Sequence, residues 1–126
     1  MTDGLLDGYA EGLGIVLTAA EPVTVSMPVT ADHLNFYETA HGGAVFSVAS
    51  AALAVAAAAD GVPTAPIDGY LSLTAAAGAG DVLTATVEEV TKGRTLATYR
   101  VTVKRGDGRV AATLTGSVRR WADGEG

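Results

Sequence analysis

The stretch HLNFYETAHGGAVFSVAS, residues 33–50, places both histidines of the chain, an asparagine and a Gly-Gly pair directly ahead of a long apolar run. The chemistry open to such a set is polarisation of a carbonyl. A helix beginning at Gly42 or Gly43 exposes unpaired backbone N–H groups and the positive end of its dipole. Glycine lets a ligand approach that backbone with no β-carbon in the way. Such an N–H can serve as an oxyanion donor to an acyl carbonyl. The same residues are equally consistent with a tight lead-in turn that His41 caps.

The elements that must position these groups follow from the rest of the chain. Its 126 residues suit one domain, 1–126, with a single core. Apolar residues make up 48% but aromatics only 6%, so alanine fills much of the interior and the elements must pack closely. The chain has no cysteine, which excludes disulfides, thiolate metal sites and thiol nucleophiles and fits a reducing cytoplasm. No basic and then apolar leader is visible at the start, so an export signal is not expected. The 18 residues from Gly43 to Asp60 approach membrane-spanning length, but their alanines, Ser47 and Ser50 favour a buried helix. Net charge is −6, with Lys and Arg totalling 8 and no basic cluster, so nucleic acid is not an expected partner. Any phosphate must be held by a few local arginines and backbone amides.

Residues 3–12 are glycine-punctuated and fit a helical turn or two. Ile15 to Val29 alternates loosely and is broken at Glu21-Pro22, which predicts two strands, with Pro28 suited to an edge. Residues 30–42 predict a loop. Gly43 to Asp60 predicts a helix stopped by Gly61 and Pro63; apolar on nearly every side, it has to be enclosed by protein. Four strands follow, at Thr64–Ala77, Asp81–Thr91, Thr95–Lys104 and Arg109–Arg120. Their short connections, GAGD, KGR and GDG, require antiparallel pairing. The expected architecture is α+β: one enclosed helix with a sheet curled round it. The polar tail ADGEG is expected to fray.

With those elements in place, HLNFYETAHGGAVFSVASAAL resembles the motif H-x-N-x-x-G-x-x-H-G-G-x-x-F/Y-x-L-x-D-x-A of hotdog-fold thioesterases of the phenylacetate-degradation (PaaI-type) group. The similarity continues through Gly61, GAGD at 78–81, KGRTLATYRVTV at 92–103 and GRVAATLTGSVRR at 108–120, nearly the whole chain. The resemblance implies a long central helix wrapped by a five- or six-stranded antiparallel sheet. It implies hydrolysis of acyl-CoA thioesters, with no metal and no organic cofactor, at a site on a dimer interface within a homodimer or homotetramer. Mapped by motif, the Gly42 amide polarises the thioester carbonyl, Asn35 positions substrate or water, and His41 supports the loop and contacts the thioester. Gly43 and Arg94 contact substrate, Arg94 through a phosphate. No Gly-x-Ser-x-Gly elbow is present to supply a nucleophile, which argues against His41 as a triad base. No separate Asp and His pair at hydratase spacing is present either.

The chain departs from that pattern at the acid. Nine positions after His41 stands Ser50 in place of the general base or nucleophile, and a serine takes no proton from water without a base of its own. Eighteen residues further, where several relatives carry a hydroxyl facing that acid, stands Asp68. The two residue types look exchanged, making Asp68 the expected base and Ser50 its partner. Pro66-Ile67-Asp68-Gly69 also has turn chemistry, and Ser50 also suits a helix hydroxyl bonded to the preceding turn. Glu38 stands where the motif often has glycine. TAAA at 74–77 replaces a common Arg-Pro, which weakens ordinary CoA binding. Thioester hydrolysis is the expected function. The alternatives are an inactive hotdog protein binding acyl-CoA or another apolar ligand, and a purely structural role in an assembly.

Overall fold

The computed structural model describes residues 5–122; the first four residues and all but the first residue of the ADGEG tail lie outside it. A short helix, α1 (Gly8–Gly12), leads into β1 (Val16–Ala20) and β2 (Val23–Pro28), joined at Glu21-Pro22 as expected. A 3₁₀ turn at Ala31–His33 opens the loop before α2 (Gly42–Ala57). Four strands follow: β3 (Thr64–Leu73), β4 (Val82–Lys92), β5 (Leu96–Lys104) and β6 (Val110–Arg120). They form one six-stranded sheet in the order β1-β2-β4-β5-β6-β3, antiparallel at every pairing. Beyond Ser26 no β1 residue opposes β2, so the proline at Pro28 interrupts no ladder on that side.

Period-two alternation places the core. Ala97, Tyr99, Val101 and Val103 of β5 and Ala112, Leu114 and Val118 of β6 are buried on the face toward α2, while Thr95 and Val110, at the element starts, are exposed. From the helix, Val48, Ala49 and Ala52 are fully enclosed against that sheet. Two alanines there allow a close approach of helix to sheet, as the aromatic-poor composition requires. The helix ends three residues before the expected Asp60, because Ala58 is its C-cap and Gly61 reverses the chain at φ +80°. β3 stops at Leu73 rather than Ala77: the Thr74 and Ala75 amides share the Ala111 carbonyl, and the chain then crosses to the 34–40 loop, where the Ala40 amide bonds the Ala77 carbonyl at 2.7 Å.

The expectation of a fully enclosed helix holds only on the sheet side. A strip of α2 bearing Phe46 and Ala54 is exposed, with Ser50 half-buried between them. Beside it β3 is an edge strand, and Ile67, Tyr70 and Leu73 stand 54%, 74% and 56% exposed.

The C-terminal end of α2 is closed by charge. Arg120 is buried and its Nη2 donates to Asp60 Oδ2 at 3.0 Å, while Lys92 Nζ reaches the same oxygen at 3.4 Å. The hydrogen bond from Arg120, with that from the Val62 amide, holds the Asp60 carboxyl at about 2 against its ordinary 3.8. A depressed folded value means this stabilisation is complete above pH 3.8 and is lost as pH falls through about 2. Asp60 is one-third exposed, so the effect is modest. Asp60→Asn is expected to lower Tm at pH 7 by about 2–4 °C. Thermal melts against pH should show the gap to wild type closing between pH 3.8 and 2; a gap that persists at pH 2 would assign the loss to packing.

Candidate active site

The start of α2 follows from one histidine. His41 occupies the N-cap at φ −59°, ψ 139°, and its Nδ1 accepts the Gly43 N–H at 2.8 Å. An accepting Nδ1 is unprotonated, which puts the ring proton on Nε2. An added β-carbon at Gly43 would lie 3.1 Å from that Nδ1, so a side chain there would crowd the cap and push the ring aside by a few tenths of an ångström. The Ala44 and Val45 amides both bond the His41 carbonyl, at 2.9 and 3.1 Å. The four amides that lack a regular helical acceptor are those of His41 to Ala44, and three are satisfied, since His41 N–H donates to the His33 carbonyl at 2.7 Å and Gly43 and Ala44 donate to His41. Among the described residues only the Gly42 N–H in this set has no acceptor. The capping reading of His-Gly-Gly is the one the geometry shows: His41 caps, and by engaging the Gly43 amide it leaves the Gly42 N–H without an acceptor. Gly43, expected at the substrate, has its amide engaged by His41.

The loop ahead of the helix is built round Asn35. Its Oδ1 accepts from the Tyr37 amide, the Thr39 amide and the Thr39 hydroxyl at 2.9, 3.1 and 3.2 Å. With the oxygen so engaged, the NH₂ end is the part available to a ligand. Glu38 sits at φ 61°, in the left-handed region that favours glycine, which is the physical reason a glycine suits this position. Asn35 and Gly42 line one recess of about 370 Å³, whose far wall is Leu73 and Thr74 through Ala77. The alanines that stand in place of an Arg-Pro pair make that wall small and uncharged. On the other side of the loop, Asn35, His41, Leu34 and the fully exposed Phe36 border a second, open recess.

Ser50 and Asp68 are not brought together within the chain. An added β-carbon at Gly69 would meet Phe46 Cε1 at 3.6 Å, so Gly69 is the β3 position that turns toward α2. Asp68, its neighbour, turns to the outer face of the sheet and is exposed. Its Oδ1 accepts the Ser117 amide at 2.9 Å, just after a register shift between Pro66 and Asp68, so the carboxylate stands in for a strand carbonyl at a bulge. No hydrogen bond joins Asp68 to Ser50 among the described residues. The expected facing of acid and hydroxyl is corrected on that point: alternation separates the two faces of β3 properly, and the face that meets the helix carries Gly69 and Leu71.

Ser50 lines a different recess of about 240 Å³, together with Asp7, Tyr9 and Phe46. None of Asp7, Tyr9 and Ser47 stands out in the sequence, where residues 3–12 show only a short glycine-punctuated turn. The available signal was Asp7 itself, an N-cap residue whose Oδ1 takes the Ala10 amide at 2.9 Å. Arg94 lies at the far end. Its turn joins β4 to β5, and Lys92 ties that turn to Asp60 beyond the C-terminus of α2. Sixteen helical residues, about 24 Å, separate it from Gly42. Among the described residues no cluster of three or more His, Cys, Asp or Glu could hold a metal ion, and no helix is long and apolar enough to cross a membrane.

The accounting at the helix start makes Gly42→Pro an informative variant. Proline is well tolerated at the first helical position, and His41 already has the extended ψ that a following proline demands. The variant removes the free N–H and adds a ring whose β-carbon would lie 3.3 Å from Leu73 Cδ1, the far end of a flexible side chain. It is expected to fold with a Tm near wild type and to lose about 10²–10³ in kcat on a thioester substrate. Gly43→Ala is expected to do the reverse, displacing His41 and lowering stability by about 1 kcal/mol. Equal activity of Gly42→Pro and wild type in a steady-state assay would remove the amide from the chemistry.

Comparison with known proteins agrees with this geometry. Residues 29–119 match the acyl-CoA thioesterase N-terminal domain family. A Deinococcus radiodurans protein that carries a provisional esterase name is 42% identical over 115 residues, covering 89% of this chain and 78% of that one. Escherichia coli acyl-coenzyme A thioesterase PaaI is 29% identical over 116 residues, 90% of this chain and 83% of that one. An Asn-to-Asp mutant of the phenylacetic acid degradation protein PaaI from Thermus thermophilus superposes with a TM-score of 0.86 at 35% identity, covering 90% and 99% of the two chains. A curled six-stranded antiparallel sheet round one helix, opened by His-Gly-Gly and matched over most of its length, places this chain in the PaaI-type hotdog-fold thioesterase family.

Proposed function

We propose that the protein hydrolyses an acyl-CoA thioester by direct attack of water, at a site completed by a second copy of the chain. The observation that carries this reading is the unpaired Gly42 N–H at the positive end of α2, in the wall of a recess that Asn35 also lines. A thioester carbonyl seated there would gain most from that donor as its oxygen becomes an oxyanion. Asn35 offers its NH₂ to the substrate or the water, and His41 holds the donor in place.

Two features support the second copy. The unpaired edge of β3, with Ile67, Tyr70 and Leu73 exposed beside the uncovered strip of α2, is a poor surface to leave in water. A two-fold pairing along that edge extends the sheet and runs the two α2 helices antiparallel. It also resolves the separation of Gly42 from Arg94: the C-terminal end of one helix, with its Arg94 turn, then lies toward the N-terminal end of the other. One CoA could meet the Gly42 amide of one copy and Arg94 of its partner, the arginine answering a phosphate. Two such dimers back to back would give the tetramer.

The decisive experiment is thiol release from a panel of acyl-CoA substrates. Turnover is expected with no added metal or cofactor, and binding without turnover would favour an inactive acyl-CoA receptor instead. Sedimentation at micromolar concentration is expected to show a dimer or tetramer; a stable monomer would count against a shared site.

The pairing of Ser50 with Asp68 has its own test. Asparagine at 68 still accepts the Ser117 amide, so Asp68→Asn is expected to keep both Tm and kcat near wild type. A loss of about a hundredfold or more in kcat, within the range of a general base, would place Asp68 in the site through the partner copy.

A further inference from the structure

Water attack on a thioester needs a proton acceptor, and among the described residues no carboxylate lines the Gly42 recess. Most carboxylates of the described chain are already engaged. Asp60 and Asp107 pair with Arg120 and Arg105. Asp81 accepts the Gly78 amide and Asp68 the Ser117 amide. Glu88 and Glu89 face Arg100 and Lys92. One carboxylate, Asp7, shares a recess on α2 with a hydroxyl that lacks a base: it borders the same space of about 240 Å³ as Ser50. One of its oxygens is fixed by the Ala10 amide at 2.9 Å, and Oδ2 has no partner among the described residues.

We propose that Asp7, carried on α1, supplies the general base that α2 lacks, acting on a water held between its free oxygen and the Ser50 hydroxyl. The proposal rests on the hydrolytic reading above. The placement of Asp7 is not left to a loose terminus. Tyr9 Oη and Ser47 Oγ are 2.9 Å apart, and Ser47 Oγ donates to the Gly43 carbonyl at 2.8 Å. Since the serine proton is used on Gly43, the tyrosine hydroxyl donates to the serine. That chain pins α1 to the first turn of α2. Tyr9 and Ser47 are positioning residues in this arrangement.

The recess lies along the strip of α2 that carries Phe46, Ser50 and Ala54, the side left open for the partner. Antiparallel α2 helices bring the Gly42 end of the second copy along that strip. The bonds then balance as follows. Asp7 takes a proton from water as the water oxygen bonds to the carbonyl carbon, and the oxyanion is held by the partner's Gly42 amide. Collapse of the tetrahedral species breaks the C–S bond, and the proton on Asp7 passes to the departing thiolate. The products are the free acid and the thiol, and the carboxylate is regenerated.

Asp7→Asn is a clean test, because asparagine caps a helix as well as aspartate does and only the basicity is lost. With wild-type protein active on an acyl-CoA, Asp7→Asn is expected to lower kcat at least 10²-fold with KM within threefold and Tm unchanged, and the acid limb of the kcat/KM profile should disappear. Adding Ser50→Asp to Asp7→Asn is expected to recover at least tenfold, since it returns a carboxylate to the same recess. A kcat for Asp7→Asn within threefold of wild type overturns the proposal, as does a loss that tracks a fall in Tm. A double variant no better than the single one overturns the placing of the water beside Ser50. Wild-type protein that binds acyl-CoA without turnover overturns the hydrolytic reading itself, a result distinct from an active enzyme indifferent to Asp7.

Discussion

The site depends on one hydrogen bond, from the Gly43 N–H to His41 Nδ1 at 2.8 Å. A helix start has four donors to place, and an N-cap side chain usually takes the second or third. Histidine takes the second here, where the glycine leaves its ring nitrogen uncrowded, and the His41 carbonyl serves the next two amides. The first donor, Gly42, is left over by that arithmetic. It needs no strained geometry to be free. The cap also occupies Nδ1 with the Gly43 N–H, which is poor placement for a base acting at that atom.

Much of this was legible in the sequence, and the parts that were not share a cause. Alternation in β5 and β6, the antiparallel pairings imposed by short connections, and a helix beginning at the glycine pair all follow from local pattern, and the fold agrees with each. The helix start at Gly42 could be read because a helix N-terminus is a local object. Asp68 could not, because its role turns on which face of β3 meets α2, and alternation alone separates faces without ranking them. Gly69 decides it, by leaving room for the Phe46 ring. The bulge before Asp68 then supplies a bare amide that a carboxylate can answer. Glu38 was visible as a departure, but only its φ of 61° explains why the position favours glycine.

The same limit applies to the helix as a whole. Its apolar composition argues for enclosure on all sides, and one chain encloses it only toward the sheet. The discrepancy is informative, since Phe46 and Ala54 on the open strip adjoin an edge strand that is itself exposed and apolar. A helix with apolar character on every side and a sheet edge beside its bare side are two halves of one requirement, that another surface of similar character cover both. A second copy meets it with no new sequence.

Placing the base on α1 rather than on α2 has a physical consequence. A carboxylate at position 50 would stand on the strip that the proposed partner helix covers, where loss of water raises the cost of its charge and favours the protonated form. At position 7 the carboxylate sits at the mouth of the recess, exposed, with one oxygen already held by a backbone amide. Hydration is kept and the orientation is kept. What is given up is rigidity, because α1 has only five residues and its hold on the helix runs through Tyr9 and Ser47. Removing the tyrosine hydroxyl should therefore loosen the base without touching the oxyanion donor: the Gly43 carbonyl keeps its serine, His41 keeps Gly43, and the Gly42 N–H stays where it is. Catalysis in this arrangement is divided between a rigid donor set by α2 and an acceptor set by a short tethered helix, and the two halves can vary independently.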